Sequence, residues 1–100
     1  MVKIVVLYGP PTEPAAFEDY YANTHLPLAS KMPNVERFEA SRVVGTPDGG
    51  EAPYYRIAEL WFDSQDTLQA TMASPEGQAT VADIPNFATG GATVVIAAVD

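Results

Sequence analysis

His25 is the only histidine among 100 residues and the first candidate for acid–base chemistry, because imidazole ordinarily changes charge near neutral pH. It stands at the edge of an apolar helical stripe, two residues before Pro27. A proline inside a helix removes a backbone donor and disturbs the preceding turn, which frees carbonyl groups. Such a carbonyl could orient one ring nitrogen and leave the other for a substrate. The alternative is a half-buried structural histidine that caps the kink.

Two adjacent tyrosines, Tyr20 and Tyr21, precede this histidine. On a helix their side chains point about 100° apart, and Tyr21 lies one turn before His25. Its phenol is therefore placed to line the same pocket or to donate a hydrogen bond there. The competing interpretation is that both rings belong to the core and its rim, since buried phenols commonly find some partner.

Glu59 is a second acid–base candidate, because it alternates with Ile57 and Trp61 on one face of a predicted strand. A carboxylate among apolar neighbours needs a charged partner or must be neutral. If that face lines a cavity, Glu59 can act there. A salt bridge to Arg37 or Arg42 on the adjoining strand is the alternative.

Asp83 precedes a turn that contains Pro85 and Asn86, where an aspartate often caps backbone amides. No glycine-rich phosphate loop, nucleophile elbow or calcium loop occurs in the sequence. The chain contains no cysteine, which excludes disulfides, thiol catalysis and a cysteine-ligated metal. We therefore expect neither a cofactor nor a bound metal.

The charge balance limits the partners. Five basic residues stand against 13 acidic ones, a net charge of −8. Binding to duplex nucleic acid or to an anionic membrane needs clustered Lys and Arg, so neither is expected. No targeting segment and no membrane span is recognisable, which favours the cytoplasm.

The elements that must position these residues follow from periodicity and from Gly and Pro breaks. Strands are predicted over 2–8, 35–46, 54–62 and 93–99, and helices over 14–32, 65–73 and 74–83, the first bent near His25. The order β-α-β-β-α-β predicts one α+β domain over 1–100, with a ferredoxin-like fold and a four-stranded antiparallel sheet.

Both faces of the first and last strands are apolar, whereas the predicted helices cover only one face. A second copy of the sheet would cover the other, and two-fold dimers are the commonest oligomers. We therefore expect a homodimer whose sheet faces oppose each other, with a cavity between or beside them. A monomer with a large exposed apolar face is the alternative.

The segment from Phe17 to Ala29 resembles the Tyr-Tyr…His-x-Pro-Leu motif of EthD-type proteins, a family named for ethyl tert-butyl ether degradation. Similar segments, in the same order, are Pro53-Tyr54-Tyr55, Ala58-Glu59-Leu60-Trp61-Phe62, Ser74-Pro75-Glu76-Gly77, and Asp83 with Asn86-Phe87. The resemblance implies the dimeric α+β barrel superfamily. It also implies a pocket with His25, Tyr21, Glu59 and Asp83 as catalytic candidates, and Phe17, Tyr20, Trp61 and Phe87 as substrate-binding candidates.

Two functions are compatible with this pocket. One is a cofactor-independent oxidoreductase or isomerase that uses His25 as general acid/base on a small hydrophobic or aromatic metabolite, with Glu59 or Asp83 fixing the histidine tautomer. The other is a non-catalytic dimer that binds such a ligand or assists a catabolic oxygenase. A haem protein with His25 as proximal ligand is a more remote alternative.

Overall fold

The computed structural model describes residues 1–100 and contains one antiparallel sheet. Its strands are β1 (Val2–Tyr8), β2 (Arg37–Arg42), β3 (Arg56–Phe62) and β4 (Ala92–Ala98), in the spatial order β2-β3-β1-β4. Its helices are α1 (Pro14–Tyr20), α2 (Leu26–Ala29), α3 (Gln65–Ala73) and α4 (Pro75–Asp83). A π-helical turn (Tyr21–His25) joins α1 to α2, and a 3₁₀ turn (Ile84–Asn86) follows α4. The predicted α+β, ferredoxin-like order is confirmed.

The first helical segment departs from regular geometry where Pro27 requires it. The Leu26 N–H donates to the carbonyl of Tyr21, five residues back, as in a π-helix. Pro27 has no N–H, and its ring would collide with the carbonyl of Asn23 in a regular α-helix, so the wider turn removes both conflicts. The helix ends at Ala29 and not at residue 32 as predicted, because tighter turns to Lys31 and Met32 follow.

The central hairpin is shorter than the predicted strands 35–46 and 54–62. Pairing between β2 and β3 ends with the Val43 N–H, which donates to the Tyr55 carbonyl at 2.9 Å. Gly45, Pro47 and Pro53 follow or flank this point. Proline lacks the donor that a ladder needs, and so the hairpin opens into a loop.

Serine caps set the two C-terminal helices. The Ser64 hydroxyl accepts from the Thr67 N–H at 3.1 Å at the start of α3, as predicted. The Ser74 hydroxyl accepts from the Gly77 N–H at 3.1 Å at the start of α4. Because the Ser74 cap fixes the start of α4 at Pro75, the nine-residue helix ends at Asp83.

The core lies between the helices and one face of the sheet, called here the covered face. On β1, Ile4, Val6 and Tyr8 are buried against the helices, while Lys3, Val5 and Leu7 point to the other side, the open face. On β3 the covered face carries Ala58, Leu60 and Phe62. No helix of the chain is long and apolar enough to cross a membrane.

The edge strand β4 is left bare on both sides. The side chains of Val94, Val95 and Ile96 are 52, 45 and 48% exposed. Val94 and Ile96 pair with covered-face positions of β1, and Val95 pairs with Val5 on the open face. The apolar character of this strand, recognised in the sequence, is therefore not explained by burial within one chain.

Candidate functional site

His25 and Asp83 form a buried pair between the first helical segment and the end of α4. His25 is the last residue of the π-helical turn, and its Nδ1 lies 3.0 Å from Asp83 Oδ2. Both side chains are less than one-tenth exposed. The partner that orients the imidazole is thus a carboxylate 58 residues away and not a carbonyl freed by Pro27.

Asp83 binds two further groups through its other oxygen. The Tyr20 hydroxyl donates to Oδ1 at 2.6 Å, and the Asn86 side-chain amide donates to it at 3.1 Å. Burial acts to raise the pKa of Asp83, but hydrogen bonds from Tyr20, His25 and Asn86 outweigh it, so the pKa lies below its ordinary value. At neutral pH the group is therefore a carboxylate.

An ionised carboxylate only accepts hydrogen bonds, and this assigns the histidine tautomer. Nδ1 of His25 must carry the proton that it donates to Asp83. Nε2 makes no hydrogen bond within the chain and, in the neutral ring, keeps its lone pair. The pair is therefore arranged so that Nε2 can accept a proton from a bound molecule.

His25 lines a cavity of about 50 Å³ between the helices and the covered face of the sheet. Thirteen of its 15 lining residues are hydrophobic, which makes the surroundings of His25 apolar. The sheet supplies Ile4, Val6, Tyr8, Phe38, Ala58, Leu60 and Val94; the helical side supplies Tyr21, His25, Ala29, Met32, Met72, Thr80, Val81 and Ile84. We call this space the inner cavity.

Tyr21 lines the same cavity and carries the one fully buried side-chain polar atom that lacks a hydrogen-bond partner, its hydroxyl oxygen. Its ring stacks on His25 with 5.7 Å between centroids and 20° between planes. Burial raises the pKa of Tyr21 to about 12, against a smaller lowering effect of Arg56. The phenol is therefore neutral and keeps a proton to donate. An unmet buried hydroxyl costs about 1–3 kcal/mol, which an acceptor on a ligand would offset.

Tyr8 and Arg56 also belong to this region and were not among the residues predicted from the sequence. They are paired in register on β1 and β3, and Arg56 lies over the Tyr21 ring at 4.9 Å. Arg56 in turn forms an ion pair with Glu18 on α1. Burial raises the pKa of Tyr8, so a second neutral phenol lines the cavity. Tyr8 alternates with Ile4 and Val6 along β1, and this spacing in the sequence indicates that it lies on the same face as those core residues.

The aromatic candidates lie behind the histidine and do not line the inner cavity. Phe87 contacts the His25 ring with 4.6 Å between centroids, and Phe17 stacks on Tyr21 at 5.5 Å. Tyr20 stacks on Phe87 while it holds Asp83. Phe17, Tyr20 and Phe87 instead border a separate surface pocket of about 250 Å³. Their contacts indicate that they position the His25–Asp83 pair.

Glu59 and Trp61 are not brought to His25, because their side chains lie on the open face. Glu59 accepts a hydrogen bond from Lys3 Nζ at 2.8 Å, so its partner is on β1 and not Arg37 or Arg42 as the alternative expected. Trp61 packs against two cations, Lys3 at 5.1 Å and Arg37 at 5.0 Å from its ring centroid. Within one chain the sheet separates both residues from the inner cavity.

No group of three or more His, Cys, Asp or Glu side chains in the chain could hold a metal ion. The site consists of the His25–Asp83 pair and two neutral phenols at an apolar wall, with the Arg56–Glu18 ion pair beside the Tyr21 ring.

Comparison with known proteins gives the family. The EthD domain profile matches residues 9–91. An uncharacterised 11.0 kDa protein from the thcB–thcC intergenic region of Rhodococcus erythropolis is 39% identical over 95 residues, 95% of this chain and 91% of that protein. The chain belongs to the EthD family. The resemblance noted in the sequence is thereby confirmed.

Solved structures support the same assignment. The crystal structure of an EthD family protein from Bacillus halodurans is 36% identical and superposes with a TM-score of 0.94 over 100% of this chain and 99% of that one. More remote likenesses show the fold alone. A dimeric ferredoxin-like protein from Thermobifida fusca is 16% identical (TM-score 0.72; coverage 98% and 90%). The cofactor-independent oxygenase SnoaB from Streptomyces nogalater is 17% identical (TM-score 0.68; coverage 98% and 91%).

Proposed function

We propose that this EthD protein is a small cofactor-independent enzyme that moves a proton on a hydrophobic, carbonyl-bearing metabolite, with His25 as general acid/base. The observation that carries the proposal is the buried His25–Asp83 pair at 3.0 Å, whose second imidazole nitrogen remains unpaired at the wall of an apolar cavity. A cofactor-independent oxygenase shares the fold, which is an analogy of fold and not of activity.

The chemical step is proton abstraction next to the carbonyl. Nε2 of His25 takes the proton, and the C–H electron pair forms the carbon–carbon double bond of an enolate. The negative charge moves to the carbonyl oxygen, and the Tyr21 hydroxyl is the donor proposed to bind it. Return of the proton to the same or another carbon completes exchange or isomerisation, so no oxidant is needed.

Asp83 is a positioning residue in this scheme. Its carboxylate holds the Nδ1 proton and stabilises the imidazolium that forms when Nε2 is protonated. Tyr20 and Asn86 hold the carboxylate in turn. Glu59 has no role in the step, since it faces the other side of the sheet and pairs with Lys3.

Deuterium exchange tests the proposal directly. Acetophenone in heavy water is incubated with the protein, and loss of its methyl proton signal is followed by NMR. Wild-type protein is expected to accelerate exchange over buffer, and His25→Asn to lose about 100- to 10,000-fold of that acceleration. Ala22→Phe, on the exposed side of the same helical segment, is the control for surface substitution. Exchange by His25→Asn at the wild-type rate would remove His25 as the base.

The second candidate is a non-catalytic dimer that binds a ligand or assists an oxygenase. The small volume of the inner cavity counts against turnover of a ring-bearing substrate held wholly beside His25, since about 50 Å³ is below the roughly 150 Å³ that holds benzene in an engineered cavity. Ligand binding without any acceleration of exchange by the wild type would support this second function.

We further propose a homodimer in which the open sheet faces oppose each other. Val95, 45% exposed on the open face of β4, and the half-buried Val5 and Leu7 on the same face of β1 support it. Val95→Asp on β4 is expected to shift the protein toward a monomer of about 10.7 kDa in sedimentation, whereas Val44→Asp, in a loop and 94% exposed, leaves the dimer intact. A wild-type protein that sediments as a monomer at micromolar concentration would exclude the dimer.

A further inference from the structure

A second pocket lies directly beside the inner cavity. It has a volume of about 470 Å³ and is walled by the end of the first helical segment, the following turn and the start of β2. We call it the outer pocket. Ala29, Met32 and Phe38 line both spaces, so these three side chains form the partition between them.

The inner cavity and the outer pocket differ in volume, and each fits a different part of a ligand. About 50 Å³ accommodates one or two waters or a small functional group, but not a ring. About 470 Å³ falls within the range of small-molecule sites, roughly 300–1,000 Å³. A ligand that reaches His25 by way of the outer pocket therefore places only a small end in the inner cavity and leaves its body in the outer pocket.

The chemistry of the outer pocket indicates what kind of body it takes. Five of its eight lining residues are hydrophobic, among them Leu26, Val35 and Phe38. Of its two charged residues, Arg37 pairs with Glu39 and packs on Trp61 on the open face, and Glu36 is exposed to solvent. The pocket therefore offers a mainly apolar surface with no cation free to bind an anion, which fits an uncharged aromatic or aliphatic body.

Met32 is the part of the partition that can move. It lies in the turn that follows α2, where its N–H donates to the Ala29 carbonyl at 3.1 Å, and its side chain is almost fully buried. Methionine is unbranched and has three rotatable bonds, so rotation of its side chain can open a passage without backbone movement. Asn34, two residues later, has a positive φ of 62°, so the chain turns there through the left-handed region that Asn adopts more readily than most residues.

We propose that the outer pocket is the binding site for the apolar body of the ligand, and that Met32 is the gate through which its carbonyl end enters the inner cavity to meet His25. The ligand class is an uncharged molecule with an apolar ring or chain and one small, terminal carbonyl group. The choice of a carbonyl end rests on the proposed function; the two-compartment binding does not require turnover.

The three methionines of the chain make the test specific. Met32 lines both spaces, Met72 lines only the inner cavity, and Met1 lies in neither. Protein labelled with ¹³C at the methionine methyl groups is titrated with acetophenone, whose ring carries a small acetyl end. The Met32 and Met72 signals are expected to shift together and the Met1 signal to stay. Benzophenone, whose carbonyl lies between two rings, is expected to leave Met72 unshifted.

A blocking variant tests the route. Ser30 is exposed and lines only the outer pocket, so Ser30→Phe should fill that pocket and weaken acetophenone binding about tenfold or more. Ala22→Phe, exposed on the same helical segment and away from both spaces, should bind as the wild type does.

Three outcomes overturn the inference: no shift at millimolar acetophenone, a shift of Met32 without Met72, or binding that Ser30→Phe leaves unchanged. Each is a binding measurement on the unreacted ligand and does not depend on His25 chemistry. Normal binding with no deuterium exchange would instead count against the proposed function alone.

Discussion

The two faces of the sheet place charge in opposite ways. Against the covered face, His25 at the apolar cavity wall pairs with the almost fully buried Asp83, and the other ion pair on this side, Arg56 with Glu18, is 15 and 30% exposed. On the open face, Lys3 pairs with Glu59 and Arg37 pairs with Glu39, and these side chains are 23 to 65% exposed. Glu39 lies directly opposite Glu59 across β2 and β3, so the two cations offset a repulsion between like charges.

This difference shows which of the two carboxylates is placed to assist proton transfer. Glu59 stands between apolar residues in the sequence, yet its charge is neutralised by Lys3 in contact with solvent. Asp83 precedes a proline-containing turn in the sequence. Its carboxylate nevertheless accepts hydrogen bonds from the His25 imidazole, the Tyr20 phenol and the Asn86 amide, and it is almost fully buried. Electrostatic interactions act more strongly where water is excluded, so the covered face is the better place for proton transfer.

Substitutions on the two opposite faces of β1 are expected to give the largest difference in stability. Ile4→Ala removes packing on the covered face and is expected to lower the free energy of unfolding by about 2–5 kcal/mol. Leu7→Ala, on the open face, should lower it by an amount that rises with protein concentration, because a partner subunit covers that side in the proposed dimer. Chemical denaturation at several concentrations measures both. Equal, concentration-independent losses would show that the open face is not an interface.

Substitution of the two carboxylates, Asp83 and Glu59, is expected to give the next largest difference in stability. Asp83→Asn leaves Tyr20 and His25 with an amide in place of an anion and is expected to cost about 1–3 kcal/mol. Glu59→Gln breaks only a partly exposed ion pair and should cost no more than about 1 kcal/mol. Denaturation and the acetophenone exchange assay are run on both variants. The contrast between faces fails if Glu59→Gln impairs exchange as much as Asp83→Asn does.

Acid titration tests the same pair by a different route. The pKa of Asp83 is lower in the folded protein than its ordinary value of 3.8, so folding favours its ionised form. This contribution is complete above about pH 4 and is lost as the pH falls through the folded pKa. Asp83→Asn should therefore flatten the decline in stability below pH 4, whereas Val44→Asp should not. An unchanged acid slope in Asp83→Asn would show that the hydrogen bonds to Asp83 do not favour its charge.

The smallest expected effect comes from the unpartnered phenol. Tyr21→Phe removes a buried hydroxyl that has no partner, so it should leave stability unchanged or raise it by up to about 1 kcal/mol, while it lowers the exchange rate. Tyr20→Phe, which loses a hydrogen bond to Asp83, is the matched comparison and should lower stability. A stability loss in Tyr21→Phe as large as that in Tyr20→Phe would show that the hydroxyl has a partner.

The same variant has a pH signature. The pKa of Tyr21 rises from 10.0 to about 12 on folding, so its neutral form stabilises the protein fully below pH 10. That contribution is lost as the pH rises from 10 toward 12, since the unfolded state loses its proton first. Tyr21→Phe should unfold less steeply over this range in an alkaline titration followed by circular dichroism. Identical alkaline curves for the variant and the wild type would contradict the shift.

Local patterns predicted the elements well, because strands, caps and breaks depend on neighbouring residues. The order of elements, the Ser64 cap and a disturbance of the helix before Pro27 were all available from spacing. The errors lie at the C-terminal end of that helix and in the hairpin strands. There, turns and prolines compete with periodicity, and the result depends on which backbone donors find partners.

The candidate site was predictable only in part. His25 and Tyr21 share a helical segment, so their proximity follows from a spacing of four residues. Glu59 and Asp83 were both candidates to fix the tautomer of His25, and only the packing selected Asp83; Arg56 above the Tyr21 ring was not foreseen. Glu59 and Trp61 were assigned to the site because alternation shows which residues share a face but not which face the helices cover.

Composition and spacing are enough to establish the α+β order and to restrict imidazole chemistry to His25. The packing of the helices on the sheet is needed to show that Asp83 pairs with Nδ1 of His25, that Glu59 is on the far side of the sheet, and that Met32 separates two spaces of unequal size. The physical reason is that spacing governs contacts within one helix or strand, whereas pairing across 58 residues depends on how the helices pack on the sheet.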